Sequence, residues 1–502
     1  MVTATVAFGL TVLTLLVFAG LGLWHARGTV ESVEDLITAR DSVGQGRMTA
    51  TLVASVMGVW ILLSAPEAGA SFGIAAVAGY AIGEAIPMVV YARVGPRIRR
   101  VIPEGHSLTE YAHARFGMAM YAFVVIVSAL YMFVFLAAEL TGIAGALSLV
   151  AGVPQWQTAV LVGGFVLLYT GYGGLKASVF TDTVQALVVL PLLVVTLGGA
   201  VVALGGTGAV YEGIVAADAS LLNPTFWPGL QFGIALAFAI TGAELINQTW
   251  WQRVYAGRDG ETVERGFLIA SLTNGLIVFL AALFGVVAAG HATVVTSGTG
   301  YNADVSFFLL LQAAFPEWLV LAVVLLALLL VMSSVDTLFN ALSSLVTVDL
   351  GRLLDDPADR TLVFAARAFT VVVALAAMYV SVHAQSVLRL FFLADLLGAA
   401  VAFPLVYGLY SRRLTGLGAL LASLAGLAFG LAYFPDLREY ITAIPIVGPA
   451  LPAADQLYLT SFAGAFLLST LLTLVAARLS DPTVDHDRLG RSVRRMDEEV
   501  AD

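Results

Sequence analysis

Apolar stretches of about 20 residues follow one another along most of this chain, and three of them are interrupted by polar residues at mid-length. A run of that length matches a hydrocarbon core of ~30 Å, where a segment must satisfy its own backbone hydrogen bonds. Helices do so, and the chain is therefore read as an all-α polytopic membrane protein. With 60% hydrophobic and only 12% charged residues, 502 residues carry too little charge to clothe a soluble domain of that size. Thirteen spans are expected, at approximately 3–24, 48–71, 74–95, 118–150, 156–175, 180–205, 229–255, 264–290, 317–350, 361–383, 386–411, 415–434 and 456–479. Thr3 to Trp24 has no preceding basic region and no A-x-A-like cleavage site, so a retained helix is expected there and not a signal peptide.

The interruptions are A-S-V-M-G-V-W-I-L-L-S-A-P-E-A-G-A (Ala54 to Ala70), G-A-E-L-I-N-Q-T-W-W-Q-R (Gly242 to Arg253) and V-M-S-S-V-D-T (Val331 to Thr337). Broken helices at membrane depth free carbonyls and helix ends that can hold a bare ion and a solute. The first two breaks each open a set of five spans, about 48–205 and 229–411. Five is odd, so the second set enters from the opposite side: an inverted 5+5 repeat is expected within a single membrane domain, 1–481. Residues 482–502 form a short charged tail. The loop 291–316, without Lys or Arg, ends in a helix-like S-F-F-L-L-L-Q-A-A-F-P and is expected to fold over an entrance.

Ser333 and Ser334 lie halfway along a long aliphatic span, and with the Leu330 carbonyl one turn earlier they offer oxygens at the depth where a cation needs them. Carbonyls of Ala54 and Met57, from an unwound stretch of the first broken span, could complete such a set. The competing reading is that membrane serines bond their own i−4 carbonyl. In the second broken span, Glu244, Asn247, Gln248, Trp251 and Gln252 follow helical spacing and would form one polar stripe, suited to a solute pocket or to a polar seam between helices. Further acids at or near membrane depth are Glu67, Glu84, Glu139, Asp182, Asp336 and Asp395; each costs roughly 2–3 kcal/mol at the bilayer centre. Ion handling, proton handling or a buried partner would account for them. Cysteine is absent, which excludes disulfides and thiolate metal sites, and His106, His113, His291 and His383 show no ligand spacing.

All Lys and Arg except Arg389 and Arg438 fall on one face if the N-terminus is outside, so the positive-inside rule places the C-terminus in the cytoplasm. Lys176 is the single lysine and the net charge is −10, a balance that suits either a salt-rich habitat or an Arg-preferring genome.

These residues resemble the sodium/solute symporter family of proline, sugar, iodide and urea co-transporters. The likeness rests on L-L-V-M-S-S-V-D-T-L-F-N-A-L-S-S-L-V-T-V-D-L (Leu329 to Leu350), on Gly-Gly before T-D-T-V-Q (Gly173 to Gln185), on N-Q-x-x-x-Q-R (Asn247 to Arg253) and on Y-G-L-Y-S-R-R-L-T-G-L-G-A (Tyr407 to Ala419). The resemblance implies a broken-helix transporter fold and sodium-coupled symport by alternating access. It implies sodium held by Ser333, Ser334 and the carbonyls of Ala54, Met57 and Leu330, with Asp182 guiding sodium toward release. It implies a solute contact at Asn247, as in sugar members, and matches Trp60 to a tryptophan just past the break in proline carriers; Trp251, Gln252 and Asp395 line up with an uncharacterised branch, and Glu84 and Asn274 are expected beside them as further solute-binding residues. The chain departs from proline members at Val56 and from sugar members near Asn274 and at Phe391 to Asp395, which leaves the solute open. An amino acid, a urea-like compound or another small polar molecule remains in view. No enzymatic chemistry, no cofactor beyond the coupling ion and no nucleic acid are expected; the lipid bilayer of the cell membrane is. Proton coupling through Glu84, Glu139 or Asp395 is the alternative, and a sensor would need a signalling module that 482–502 is too short to supply.

Overall fold

The structure, a computed structural model, describes residues 3–26, 39–353, 359–384, 386–482, 484–491 and 493. The side chains of Gly173–Lys176 and Gln185, most of the charged tail, and Arg27, Arg352 and Arg360 of the expected basic face lie outside the described residues. Every named element among the described residues is helical, with one isolated bridge between Val43 and Gly257.

The chain begins with α1 (Ala4–Ala26), α2 (Gln45–Ala54), a 3-10 turn (Val59–Leu62) and α3 (Ser64–Val101). There follow α4 (Leu108–Phe116), α5 (Met118–Ala151), α6 (Gln155–Ala203) and α7 (Gly206–Asp218). The second half opens with α8 (Trp227–Leu245) and α9 (Gln248–Ala256), then α10 (Gly260–Ala289), α11 (Ser306–Ala314) and α12 (Glu317–Leu353). It closes with α13 (Asp359–His383), α14 (Val387–Gly408), α15 (Gly416–Tyr433), α16 (Pro435–Thr442), α17 (Leu457–Leu479) and α18 (His486–Leu489).

Among the described residues nine helices are long and apolar enough to cross a membrane, or ten if Val189–Ala203 and Gly206–Leu222, bent by 81°, count as one. The expected thirteen differ for local reasons. The first broken span is divided between α2, the 3-10 turn and the start of α3. Its continuation is separated from the next span only by Gly73, at φ 69° and ψ −164°, inside the otherwise helical Ser64–Val101. A side chain at Gly73 would come within 2.3 Å of the Leu221 carbonyl oxygen, so the chain turns there where only glycine fits. The expected spans 156–175 and 180–205 run within the single helical stretch α6, and α1 contributes an apolar helix only over Ala4–Gly20.

Small residues set the packing of the centre. Gly242 of α8 faces Ala399 of α14, and Gly398 of α14 faces Ala243, each with room for no more than hydrogen. Gly69 of α3 lies against the Ala282 carbonyl and Gly285 of α10 against that of Pro66. Within lipid, helices associate through such close backbone approach.

At one end of the bundle arginines close the carbonyl ends of helices. Arg99 donates to the carbonyls of Val254, Tyr255 and Gly257 at the end of α9, and Arg115 to Gly408 and Ser411 after α14. Cations belong where a helix exposes its last carbonyls. The same end holds α4, whose Ser107 accepts from Glu110 N–H while the Glu110 carboxylate accepts from His106 N–H. At the opposite end, α11 buries Phe307, Phe308, Leu310 and Leu311, and Tyr301, a few residues before it, donates to Glu67 of α3 at 2.7 Å.

Candidate functional site

The first break begins where α2 runs out at Ala54. Ser55 N–H still reaches the Thr51 carbonyl and Met57 N–H that of Val53, but Gly58 N–H turns to Val56, whose oxygen also takes the indole N–H of Trp60 at 2.6 Å. The carbonyls of Ala54 and Met57 accept no hydrogen bond among the described residues. The chain becomes helical again at Val59, whose N–H donates at 2.9 Å to the fully buried carboxylate of Glu139 on α5. A negative group at a helix start is favourable. Glu139 thus anchors the break, and a side chain on Gly58 would collide with it at 1.9 Å.

α12 passes beside this break. Ser333 donates a short hydrogen bond to Asp182 of α6, and Ser334 donates to the carbonyl of Leu330 at 3.0 Å, as a serine in a membrane helix is free to do. Asp182 also accepts from Thr51 (2.6 Å) and Ser55 (3.2 Å) of the first break and faces the Arg253 guanidinium at 3.4 Å. Arg253 Nη2 donates further to Ser55 at 2.8 Å and Thr337 at 3.1 Å. Asp182 therefore ties α6 and α12 to the end of α2 on which Ala54 sits.

Arg253 corrects its expected place on the basic face: it has no exposed surface. It projects from α9 into the protein interior and pairs with the acid that lacked an evident partner. Thr51, Ser55 and Thr337 complete this cluster and also lay outside the expected site. Threonine and serine at i, i+4 (Thr51, Ser55) and a threonine one turn after Ser333 were the available signal.

The second break falls at Ile246–Asn247, between α8 and α9. The polar stripe assumed an unbroken helix, and the break divides it. Glu244, the last but one residue of α8, accepts from Tyr131 (2.6 Å), Asn247 (3.2 Å) and the Trp250 indole. Asn247 caps α9 by accepting from Thr249 N–H. Gln248 accepts from Leu108 N–H at 2.8 Å and donates to the His106 carbonyl, which fastens α9 to the start of α4. Trp251 stacks on Tyr111 of α4 with ring centroids 5.4 Å apart, and Gln252 is fully buried. Asn274 on α10 is fully buried and neither side-chain polar atom has a partner among the described residues.

A central cavity of ≈ 30 Å³ lies between the two breaks. Of the expected solute residues, Trp60, Glu84 and Asp395 line it, together with Glu244; Asn247, Trp251, Gln252 and Asn274 do not. Its walls are aromatic: Trp60 stacks with Tyr80 and meets Phe391 edge-on, and Phe135 packs between Phe391 and Tyr131. Beyond the ring wall, toward the Tyr301 end, opens a cavity of ≈ 520 Å³ lined by Glu67, Tyr301, Asp304 and Arg389 among others. Burial raises the carboxyl of Asp304 above its ordinary range. Among the described residues no trio of His, Asp and Glu could grip a single metal ion.

Relatives agree with this architecture. The chain is 28% identical over 444 residues to a spermidine transporter of Candida albicans, covering 85% of this chain and 81% of that one. It is 25% identical over 542 residues to a sodium/glucose cotransporter of Vibrio parahaemolyticus, covering 98% and 94%. Its fold is similar to a solved Na+-coupled sialic acid symporter in a substrate-bound, outward-open state, with a TM-score of 0.75 at 17% identity over 95% of this chain and 98% of the other. These relatives are transporters and not enzymes. The family model described as "Sodium:solute symporter family" matches residues 36–426, most of the chain, and the protein belongs to that family.

Proposed function

We propose that this protein is a secondary active transporter of the cell membrane that couples sodium entry to uptake of a small polar organic solute. The observation that carries the reading is the junction at Asp182. It links Ser333 of α12 through Asp182 to Thr51 and Ser55 at the end of α2, the stretch that also carries the carbonyls of Ala54 and Met57 that no N–H claims. Ser333 and Ser334 each use their proton internally, so their lone pairs remain for a cation, and hard cations take oxygen ligands. Sodium there, with the Leu330 carbonyl, would bind α2 and α12 together and favour the solute-competent state. Asp182 lies on the route of release, where the Arg253 pair has to part before the ion leaves.

The solute site is the central cavity lined by Trp60, Glu84 and Asp395; Asn274, an unpartnered buried amide outside that lining and close in sequence to the position where sugar members hold a lysine, is a further solute contact on the path. Asn247, Trp251 and Gln252 serve the solute path below it. The thirteen-span, inverted 5+5 architecture (48–205 and 229–411) supplies the rocking elements. The arginine-rich end is cytoplasmic by the positive-inside rule, which puts the N-terminus outside. One charge crossing ~100 mV supplies about 2.3 kcal/mol, roughly 50-fold accumulation before a sodium gradient is added.

The test is uptake into proteoliposomes driven by an inward sodium gradient. Ser333→Ala combined with Ser334→Ala is expected to abolish sodium-dependent uptake at unchanged protein yield; normal sodium dependence in that variant removes the ion site. A second reading, proton coupling, is favoured by the buried Glu84, whose Oε1 has no hydrogen-bond partner among the described residues, beside Asp395 at the central cavity. It calls for uptake that follows a pH gradient in sodium-free buffer.

A further inference from the structure

The central cavity gathers three carboxylates, Glu84, Glu244 and Asp395, and no basic residue lines it. Each lies within electrostatic reach of the others. Glu84 and Asp395 are 1% and 6% exposed, and Glu84 Oε1 has no hydrogen-bond partner among the described residues. Glu244 is held by Tyr131, Asn247 and Trp250 and stays fixed at the cavity wall. Burying three ionised acids side by side without a cation is unfavourable, each alone costing about 2–3 kcal/mol at membrane depth. A ligand that carries positive charge relieves that cost as a proton would, and adds binding energy by doing so.

The donors point the same way. The Trp60 indole N–H is spent on the Val56 carbonyl, the Tyr131 hydroxyl on Glu244, and the Tyr80 hydroxyl pairs with Ser64. The cavity therefore offers acceptors and ring faces, with little to receive a carboxylate or the many hydroxyls of a sugar. Faces of Trp60, Tyr80 and Phe391 attract a desolvated cation. Leu236, Ile240 and Leu388 give an aliphatic stem somewhere apolar to lie. Among the described residues no group of three acids is arranged to hold one metal ion. Resting volume is small, room for about two waters, so the occupant parts the aromatic wall as it enters.

We propose that the solute is an organic cation, an aliphatic amine whose ammonium groups are held by Glu84, Asp395 and Glu244 inside the sleeve of Trp60, Tyr80 and Phe391. This rests on the reading of the central cavity as the solute site of a sodium-coupled carrier.

The experiment is thermal stability and calorimetric titration of the purified full chain, in sodium or potassium at equal ionic strength. The probes are 1,4-diaminobutane and 1,6-diaminohexane, their uncharged diol counterparts, urea and glucose. Saturable stabilisation by a diamine and none by the diol of the same length is the expected result. Glu84→Gln with Asp395→Asn is expected to weaken diamine binding more than roughly tenfold, as loss of charge-assisted contacts does, while sodium alone still stabilises the variant and so shows it folded. Failure of both diamines, or unchanged diamine affinity in that variant, overturns the proposal. Sodium-dependent binding of urea or glucose in place of the diamines would overturn it and leave sodium coupling intact. Diamine binding that is equal in sodium and potassium would do the reverse.

Discussion

Asp182 collects three hydroxyls and a guanidinium from three different helices, and its energetics are those of a buried ion pair. Removing one partner strands the other. Arg253→Met is therefore expected to destabilise by about 3–5 kcal/mol, read as a lowered melting temperature in detergent. The double variant Asp182→Asn with Arg253→Met should recover part of that loss, and a double variant no better than the single would show that the two do not form a pair. Ser333 and Ser334 stand out in the sequence because hydroxyls interrupt an aliphatic run. Arg253 does not, because an arginine near a span end reads as a surface charge, and only the inward turn of α9 after the break buries it.

At the scale of single elements, the two breaks are held open by side chains from elsewhere. Glu139 of α5 holds the first by capping Val59, and Gly58 must stay bare to admit it. Gly58→Ala is expected to cost about 1–3 kcal/mol through the clash with Glu139. In the sodium–potassium comparison of melting temperatures it should also shrink the sodium-specific gain, since the carbonyls of Ala54 and Met57 sit on the same unwound stretch. A Gly58→Ala protein with an undiminished sodium response would separate the break from the ion site. Gly73→Ala forces a side chain into the left-handed region and against the Leu221 backbone, and lowered yield and melting temperature are expected. The positions of both breaks were legible from the polar residues within apolar runs. The stripe Glu244 to Gln252 was not what it looked like, because spacing arguments assume a continuous helix, and here one helix ends at Leu245 and Asn247 caps the start of the next.

For the molecule as a whole, sodium binding to the folded state adds RT ln(1 + [Na+]/Kd) to stability, about 2.7 kcal/mol at a hundred times Kd. The purified protein should melt higher in sodium than in potassium, and the Ser333→Ala, Ser334→Ala variant should show no difference; an equal gain in both salts would place the coupling ion elsewhere. Membrane class, helical content, the two breaks and the serine pair were determined by the sequence, because a ~30 Å apolar slab reads composition locally, one segment at a time. The partnership of Asp182 with Arg253, the cap by Glu139, and the meeting of Glu84, Glu244 and Asp395 across one aromatic cavity were decided only by tertiary structure. Those residues lie tens to hundreds of positions apart, and no local pattern says which buried charge will face which.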